Sequence, residues 1–309
     1  MHLRPLRIGS RGSAMALFQA NLVRERLIAA HPELAAPGML ELIVIRTTGD
    51  RVQNRLLAEI GGKGLFTKEI EQALIDRRID LAVHSLKDME TILPPGLDIA
   101  CVLPRDDPRD VLVSRGGVAL AALPPGARIG TASLRRKAQL LRRRPDLAAV
   151  PIRGNVDTRL VKLAAGEVDG LLLALCGLER LGRVAVATEI LSVETMLPAV
   201  GQGALAIETR ADDAELRDWL MPLNDAASAA CVTAERAMLA ALDGSCQTPI
   251  AGLAELAGSE LRLRALLLAA DGSAERRAEG SAPVADAVAL GADIGAQLRR
   301  DAGKEFGLG

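Results

Sequence analysis

Aromatic residues are almost missing from this 309-residue chain, which has three Phe, one Trp and no Tyr. Single-stranded nucleic-acid binding relies on aromatic stacking platforms, so that class of function is disfavoured. An excess of one charge is missing too. With 38 basic against 39 acidic residues, no global field draws the chain to nucleic acid or to an anionic membrane surface. The three histidines (His2, His31, His84) are scattered, and Cys101, Cys176, Cys231 and Cys246 form neither a CxxC pair nor a metal-ligand spacing. No metal site is expected, and the thiols are expected to be reduced. The first residues run straight into a candidate strand without an apolar signal segment, and the longest apolar stretch, Leu171 to Leu178, is far too short to span a bilayer. These absences predict a soluble cytoplasmic protein with no membrane and no nucleic-acid partner.

What is present is aliphatic. Hydrophobic residues make up 49% of the chain, supplied by Ala, Leu, Val and Ile, and the length allows two or three domains. Candidate strands are Leu6–Ser10, Leu40–Ile45, Leu81–Ser85, Ile99–Leu103, Val111–Ser114, Arg128–Gly130, Val150–Ile152, Gly170–Ala174 and Ala204–Glu208. Between them, helical periodicity covers Ala14–Ala30, Thr67–Asp76, Ser133–Arg143, Thr158–Ala165 and Cys176–Leu181. Such alternation predicts an α/β architecture with mainly parallel sheets. Two breaks, Leu103 to Asp110 and Leu197 to Gly203, imply that the chain leaves one α/β lobe, builds a second and crosses back, with a cleft between the lobes. The tail differs. A long Ala-rich helix (Ala226–Leu242) precedes three strands, Pro249–Leu256, Glu260–Ala269 and Ala274–Ala282, with Asp271-Gly272 as a hairpin turn and an amphipathic helix Val284–Arg300 to close. The domains read as 1–103 with 204–221, 104–203, and a small α+β domain at 222–309.

Three apolar runs end in glycine-and-hydroxyl or glycine-and-amide turns that carry arginine: Arg7-Ile8-Gly9-Ser10-Arg11-Gly12-Ser13, Ile129-Gly130-Thr131-Ala132-Ser133-Leu134-Arg135-Arg136 and Val150-Pro151-Ile152-Arg153-Gly154-Asn155. Each leads into a helix, so free N–H groups, polar side chains and guanidinium converge on a helix N-terminus, a ready anion site. One such turn is ordinary; three imply a ligand with several negative groups. His84-Ser85-Leu86-Lys87-Asp88 follows an apolar strand, at the end where open α/β sheets place ligands, although from spacing alone a solvated loop with a surface Lys–Asp pair fits slightly better, and His84 reads as a hydrogen-bonded structural residue. The stretch from Thr47-Thr48-Gly49-Asp50 to Gly61-Gly62-Lys63-Gly64-Leu65-Phe66 lacks the Gly-Lys-Ser/Thr ending of a phosphate loop and reads equally as a lid or a flexible surface loop. Arg142-Arg143-Arg144 at a helix end reads as a solvated basic face. Cys246, in Asp243-Gly244-Ser245-Cys246-Gln247-Thr248-Pro249, stands on a small-residue loop where a thiolate nucleophile or covalent anchor would be accessible, whereas the other cysteines sit in apolar runs and read as core.

Taken in order, these segments, together with Arg153-Gly154-Asn155-Val156-Asp157-Thr158-Arg159 and Pro198-Ala199-Val200-Gly201-Gln202-Gly203, resemble the porphobilinogen deaminase family over nearly the whole chain. The resemblance implies two doubly wound lobes like those of type II periplasmic binding proteins, plus a small third domain. It implies a dipyrromethane cofactor joined by a thioether to Cys246, extended by four units of the small-molecule substrate porphobilinogen with loss of ammonia, and released as hydroxymethylbilane by hydrolysis. Asp88 matches the family's catalytic carboxylate, suited to stabilising the cationic azafulvene formed as ammonia leaves. Lys87, Ser133, Arg135 and Arg136 are implied to hold the cofactor with Cys246, and Arg11, Ser13, Thr131, Arg153, Arg159 and Arg180 to hold substrate. Every pyrrole carries an acetate and a propionate, which guanidinium forks suit. Glu90 replaces the proline more usual after this Lys-Asp-x segment, and Thr209 stands where cysteine is common. The rival is a cytoplasmic dicarboxylate- or anion-binding module, which has no need of the Cys246 loop; a monomer is the default.

Overall fold

The computed structural model describes residues 4–51, 66–243 and 248–306. The chain divides into two compact units, Met1–Asp106 with Ala204–Ala229 and Asp107–Gly203 with Ala230–Gly309.

Unit 1 is built on β1 (Leu6–Ser10), β2 (Leu40–Val44), β3 (Leu81–Ser85), β4 (Leu97–Val102) and β10 (Leu205–Arg210), in the order β2-β1-β3-β10-β4. Both faces of this sheet are covered, which is why its strands read as apolar runs without alternation. Helix α1 (Ala14–Ala30) packs Ala20, Val23 and Leu27 with Leu6, Ile8, Val83, Ile207 and, from α6 (Ala214–Leu220), Trp219. On the other face α2 (Lys68–Ile75) packs Ile70, Ala73 and Leu74 with Ile45, Ile79, Ala82 and Leu97.

Unit 2 repeats the pattern. Strands β5 (Asp110–Ser114), β6 (Arg128–Gly130), β7 (Ala148–Val150), β8 (Gly170–Ala174) and β9 (Glu189–Ile190) lie in the order β7-β6-β8-β5-β9. They are served by α3 (Leu134–Arg143), α4 (Val156–Ala164) and α5 (Leu175–Arg180). The same unit holds an antiparallel sheet, β11 (Ile250–Ala257), β12 (Glu260–Leu268) and β13 (Glu275–Pro283). Met238 of α7 (Ala226–Ala241) and Ile294 and Leu298 of α8 (Ala287–Asp301) pack with Leu261, Leu263 and Leu267 of that sheet. Its β12–β13 turn is seated on α3: a side chain at Gly272 would meet the Ala138 carbonyl and the Arg142 amide, both 2.7 Å from its Cβ.

The expected α/β lobes and small α+β portion are present, but the sheets are not mainly parallel. In each, three strands run parallel (β2-β1-β3 and β7-β6-β8), and a fourth, β10 or β5, runs antiparallel to both of its neighbours. β10 and β5 are each the first strand formed after the chain crosses into that sheet, so their direction depends on a non-local connection. The two sheets correspond strand for strand, with β6 in the place of β1, β7 in that of β2 and β8 in that of β3. Strand β7 ends at Val150, two residues before the expected end, because Pro151 has no N–H to give to a ladder. The triple-arginine segment also departs from its solvated reading: Arg144 donates to the Leu120 and Leu123 carbonyls, each at 2.7 Å, and ties down the loop after β5.

Candidate active site

The three arginine-bearing turns and the His84–Asp88 segment lie at the C-terminal ends of strands paired in parallel. The Arg11 turn follows β1 and the Arg135-Arg136 turn follows its counterpart β6. Both turns have glycine at the strand end for packing reasons. A Cβ on Gly9 would collide with Ile79, and one on Gly130 would lie 2.9 Å from Leu171. The polar turn residues cap the helices. Ser13 Oγ accepts from the Ala16 amide (3.2 Å), Ser133 Oγ from the Arg136 amide (3.4 Å), and the Asn155 side chain from the Thr158 amide (2.8 Å). An accepting hydroxyl still has its own O–H to donate, so capping leaves Ser13 and Ser133 able to serve an anion.

In unit 1, Arg11 lies over the Phe66 ring at 4.1 Å, and its Nε donates to Asp50 at 3.1 Å. Burial opposes ionisation of Asp50, but Arg11 and Thr47 outweigh it and hold the carboxyl below its ordinary range. Arg11 is thus a preorganised guanidinium whose anionic partner an incoming carboxylate would have to replace. On the neighbouring strand β3, a short helical turn, Leu86–Asp88, carries Lys87, which is half-buried, and Asp88, which is exposed. The Asp88 carboxylate has no ion pair or hydrogen bond among the described residues. One strand residue short of that turn, Ser85 accepts from the buried Gln19 side chain at 2.7 Å.

His84 is structural, as expected: its Nε2 lies 3.0 Å from Glu208 in β10, and both side chains are buried. Glu71 of α2 joins this group, and burial, then repulsion from Glu208 and Glu90, push its carboxyl up. A raised folded-state pKa penalises the fold as pH climbs through the unfolded value, about 4.3, and the penalty is complete above the folded value. Glu71→Gln should therefore melt higher than the parent at pH 7, by about 2–4 °C for each kcal/mol relieved, and converge with it near pH 4. Calorimetry at the two pH values tests this; a lower midpoint at pH 7 would refute it.

Unit 2 gathers most of the candidate arginines. Thr131 is buried and its Oγ1 accepts from the Ser133 amide at 3.2 Å. Arg135 and Arg136 are also buried, and Asp110 at the start of β5 takes both. Arg135 Nη1 donates to its Oδ2 at 2.7 Å, and Arg136 Nη2 and Nε donate to its Oδ1 at 2.8 and 3.1 Å. Burial pushes the Asp110 carboxyl up, yet the two guanidinium groups prevail and hold it far below the usual carboxylate range. Arg180 is buried and donates to the Gly203 carbonyl at 2.7 Å. Arg159 Nε donates to the Gly154 carbonyl at 2.8 Å. Burial, followed by repulsion from Arg136 and Arg153, lowers the Arg159 pKa to about 10, which leaves it charged at neutral pH. Two buried donors, Arg135 Nε and Arg153 Nη1, have no hydrogen-bond partner among the described residues. Crowded guanidinium groups with spare donors suit a ligand bearing several carboxylates.

Cys246 lies outside the described residues, as do Gly61–Leu65 of the glycine-rich stretch. Cys101, Cys176 and Cys231 are buried, and burial pushes the Cys101 thiol up to about 12, as suits core residues. No cluster of metal-ligating side chains occurs among the described residues. Sequence reasoning did not single out Asp110, Asp50 or Gln202 as site residues. An acid opening the apolar strand Val111–Ser114, in a chain with two adjacent arginines to neutralise, was the available signal for Asp110.

A family model described as porphobilinogen deaminase, dipyromethane cofactor binding domain, matches residues 6–218, and one for the porphobilinogen deaminase C-terminal domain matches residues 229–300. The chain is 56% identical to the porphobilinogen deaminase of Paracoccus denitrificans over 98% of its length and 96% of the relative's. It is 52% identical to the enzyme of the same name from Sorangium cellulosum, over 96% of this chain and 98% of the relative's. Among solved structures, a TRAP periplasmic solute binding protein from Desulfovibrio salexigens aligns at 12% identity and a TM-score of 0.46, covering 72% of this chain and 73% of that one.

Proposed function

The chain belongs to the porphobilinogen deaminase family, and from that premise we propose the part each site residue takes. The enzyme is a transferase of tetrapyrrole and haem biosynthesis. It joins four porphobilinogen units with loss of ammonia on a dipyrromethane cofactor and releases hydroxymethylbilane by hydrolysis. When bound, the cofactor supplies a tethered nucleophilic pyrrole carbon.

The observation that carries the residue assignment is the arginine group of unit 2. Arg159 is pushed to about 10 by burial and neighbouring guanidinium groups, and spare buried donors remain on Arg135 and Arg153. Two linked pyrroles carry four carboxylates, so they fit this donor set. In this reading Arg135, Arg136, Ser133 and Lys87 hold the cofactor's carboxylates, and Cys246 anchors it by a thioether. Arg11, Ser13, Thr131, Arg153, Arg159 and Arg180 take the carboxylates of incoming units. Asp88, exposed at the end of β3, accepts pyrrole N–H bonds and stabilises the cation that develops on the substrate as ammonia departs. Its carboxylate also takes part in moving the proton lost at the attacked carbon. The domains fall at 1–103 with 204–221, 104–203 and 222–309, and the protein works in the cytoplasm as a monomer. No described helix is long and apolar enough to cross a membrane.

Intact-mass measurement of the purified protein tests the anchor. An adduct of two pyrrole units, mapped by peptide digestion to Cys246 and absent from Cys246→Ser, is expected. Unmodified protein with full turnover would overturn it.

A further inference from the structure

Buried at 0% exposure in unit 2, Gln202 belongs to no strand or helix, yet its side chain closes a three-membered ring of hydrogen bonds. Its Nε2 donates to Asp110 Oδ1 at 2.7 Å and to the Pro108 carbonyl at 2.7 Å. Its Oε1 accepts from Arg136 Nη2 at 3.5 Å, and Arg136 Nη2 in turn donates to Asp110 Oδ1 at 2.8 Å. One amide therefore touches the acid, one of the arginines that the acid orients, and the backbone leading into β5.

The segment that carries Gln202 is itself fastened on both sides. The Leu197 carbonyl accepts from Arg135 Nη1 at 2.6 Å and from Gln139 at 2.9 Å, and the Leu197 amide donates back to Gln139 at 2.8 Å. The Pro198 carbonyl accepts from the Gly252 amide at 3.0 Å. Glu235 of α7, fully buried, accepts from the Gly201 amide at 2.7 Å and from the Ala254 amide at 2.8 Å. The Gly203 carbonyl accepts from Arg180 at 2.7 Å. Backbone held at Leu197, Pro198, Gly201 and Gly203 leaves the Gln202 side chain little freedom to wander.

We propose that Gln202 is a positioning residue for the reaction: by holding Asp110, Arg136 and the Pro108 carbonyl together, it fixes the direction in which Arg135 and Arg136 present their remaining donors to carboxylates. The inference rests on the cofactor role given above to those arginines and deepens it. An Asp110 carboxylate bound to two arginines alone can rock between them. A third donor on Oδ1 stops that motion, and a guanidinium aimed at its ligand loses less freedom when it binds. Asp110, Arg135, Arg136, Arg180 and Glu235 each have a hydrogen-bond partner in this ring or in the segment beside it, and Arg159 adds a further charge close enough to be repelled by Arg136.

Two variants of the holoenzyme test the role. Gln202→Leu keeps bulk and removes all three hydrogen bonds. Gln202→Glu keeps shape but puts an acceptor where the Nε2 donor was, facing Asp110. Each is assayed by intact mass for cofactor content, by melting, and by kcat and KM for porphobilinogen between pH 6 and 9. Both are expected to carry the cofactor and lose at least tenfold in kcat/KM per cofactor-loaded molecule. Gln202→Glu should recover activity toward low pH, where the glutamic acid regains a proton to donate to Asp110, a trend that Gln202→Leu should lack. If both variants melt lower but keep kcat/KM within twofold per loaded molecule, Gln202 is only a structural tie and the proposal is overturned. An unfolded Gln202→Leu leaves the decision to Gln202→Glu. Parent protein with no adduct would refute the cofactor reading, whatever the variants do.

Discussion

Asp88→Asn is expected to give a folded, cofactor-bearing enzyme whose turnover falls by about 10²–10⁴-fold, the range set by removing a positioned general acid–base group or an electrostatic stabiliser. The amide keeps the shape of the side chain and removes its charge. Asp88 is exposed and has no partner among the described residues, so the exchange leaves nothing buried without a partner. Its effect on stability should stay within about 0.5 kcal/mol. The Leu86–Asp88 turn does not depend on that carboxylate either, since its backbone is tied at one end by the Leu86 amide donating to Ala204 and closed by the Met89 amide donating to Leu86. Saturating-substrate kinetics beside a melting curve and an intact mass separate the outcomes. Near-normal turnover would move the catalytic role elsewhere; lost cofactor or a lower melting point would make Asp88 a structural residue.

The strand–turn–helix units were legible because their signals are local. Apolar runs, a glycine at the strand end, and Ser13, Ser133 or Asn155 at the N-cap all lie within a few residues of one another. The tail was legible for the same reason, with its hairpin turn and adjacent strands. What sequence reading missed depends on partners far along the chain. Arg135 and Arg136 read as two ligand-facing charges, but Asp110, about 25 positions earlier, binds both. The bond between Gln202 and Asp110 spans 92 positions, and the His84–Glu208 pair spans 124. The antiparallel directions of β5 and β10 follow from chain crossings, which no local pattern encodes. Arg11 illustrates both halves. Its turn was recognised, while its stacking on Phe66 and its hold on Asp50 come from outside that turn.

Removing the Asp110 carboxylate is the change with the largest expected cost to the fold. In Asp110→Ala, Arg135 and Arg136, whose side chains are 5% and 9% exposed, would share a dry site with no counter-charge between them. Breaking one side of such a buried pair costs about 3–5 kcal/mol. Removing both sides costs far less, so Asp110→Leu combined with Arg135→Met and Arg136→Met should regain most of the lost stability, without activity. That contrast matters because it separates two reasons for the acid to be there. If the ion pairs existed to stabilise unit 2, the triple replacement would remain as unstable as Asp110→Ala. If they exist to aim guanidinium groups at a ligand, the apolar version folds well and binds nothing. The pH dependence points the same way. The Asp110 pKa is depressed in the folded protein, so its contribution is present in full above the unfolded carboxyl value, near 3.9, and is lost as pH falls through the folded value. Urea unfolding of parent and Asp110→Ala should therefore differ by a constant amount from pH 6 to 8 and draw together only in strong acid. A gap that closed near neutral pH would mean that a group other than Asp110 carries the charge balance of this site.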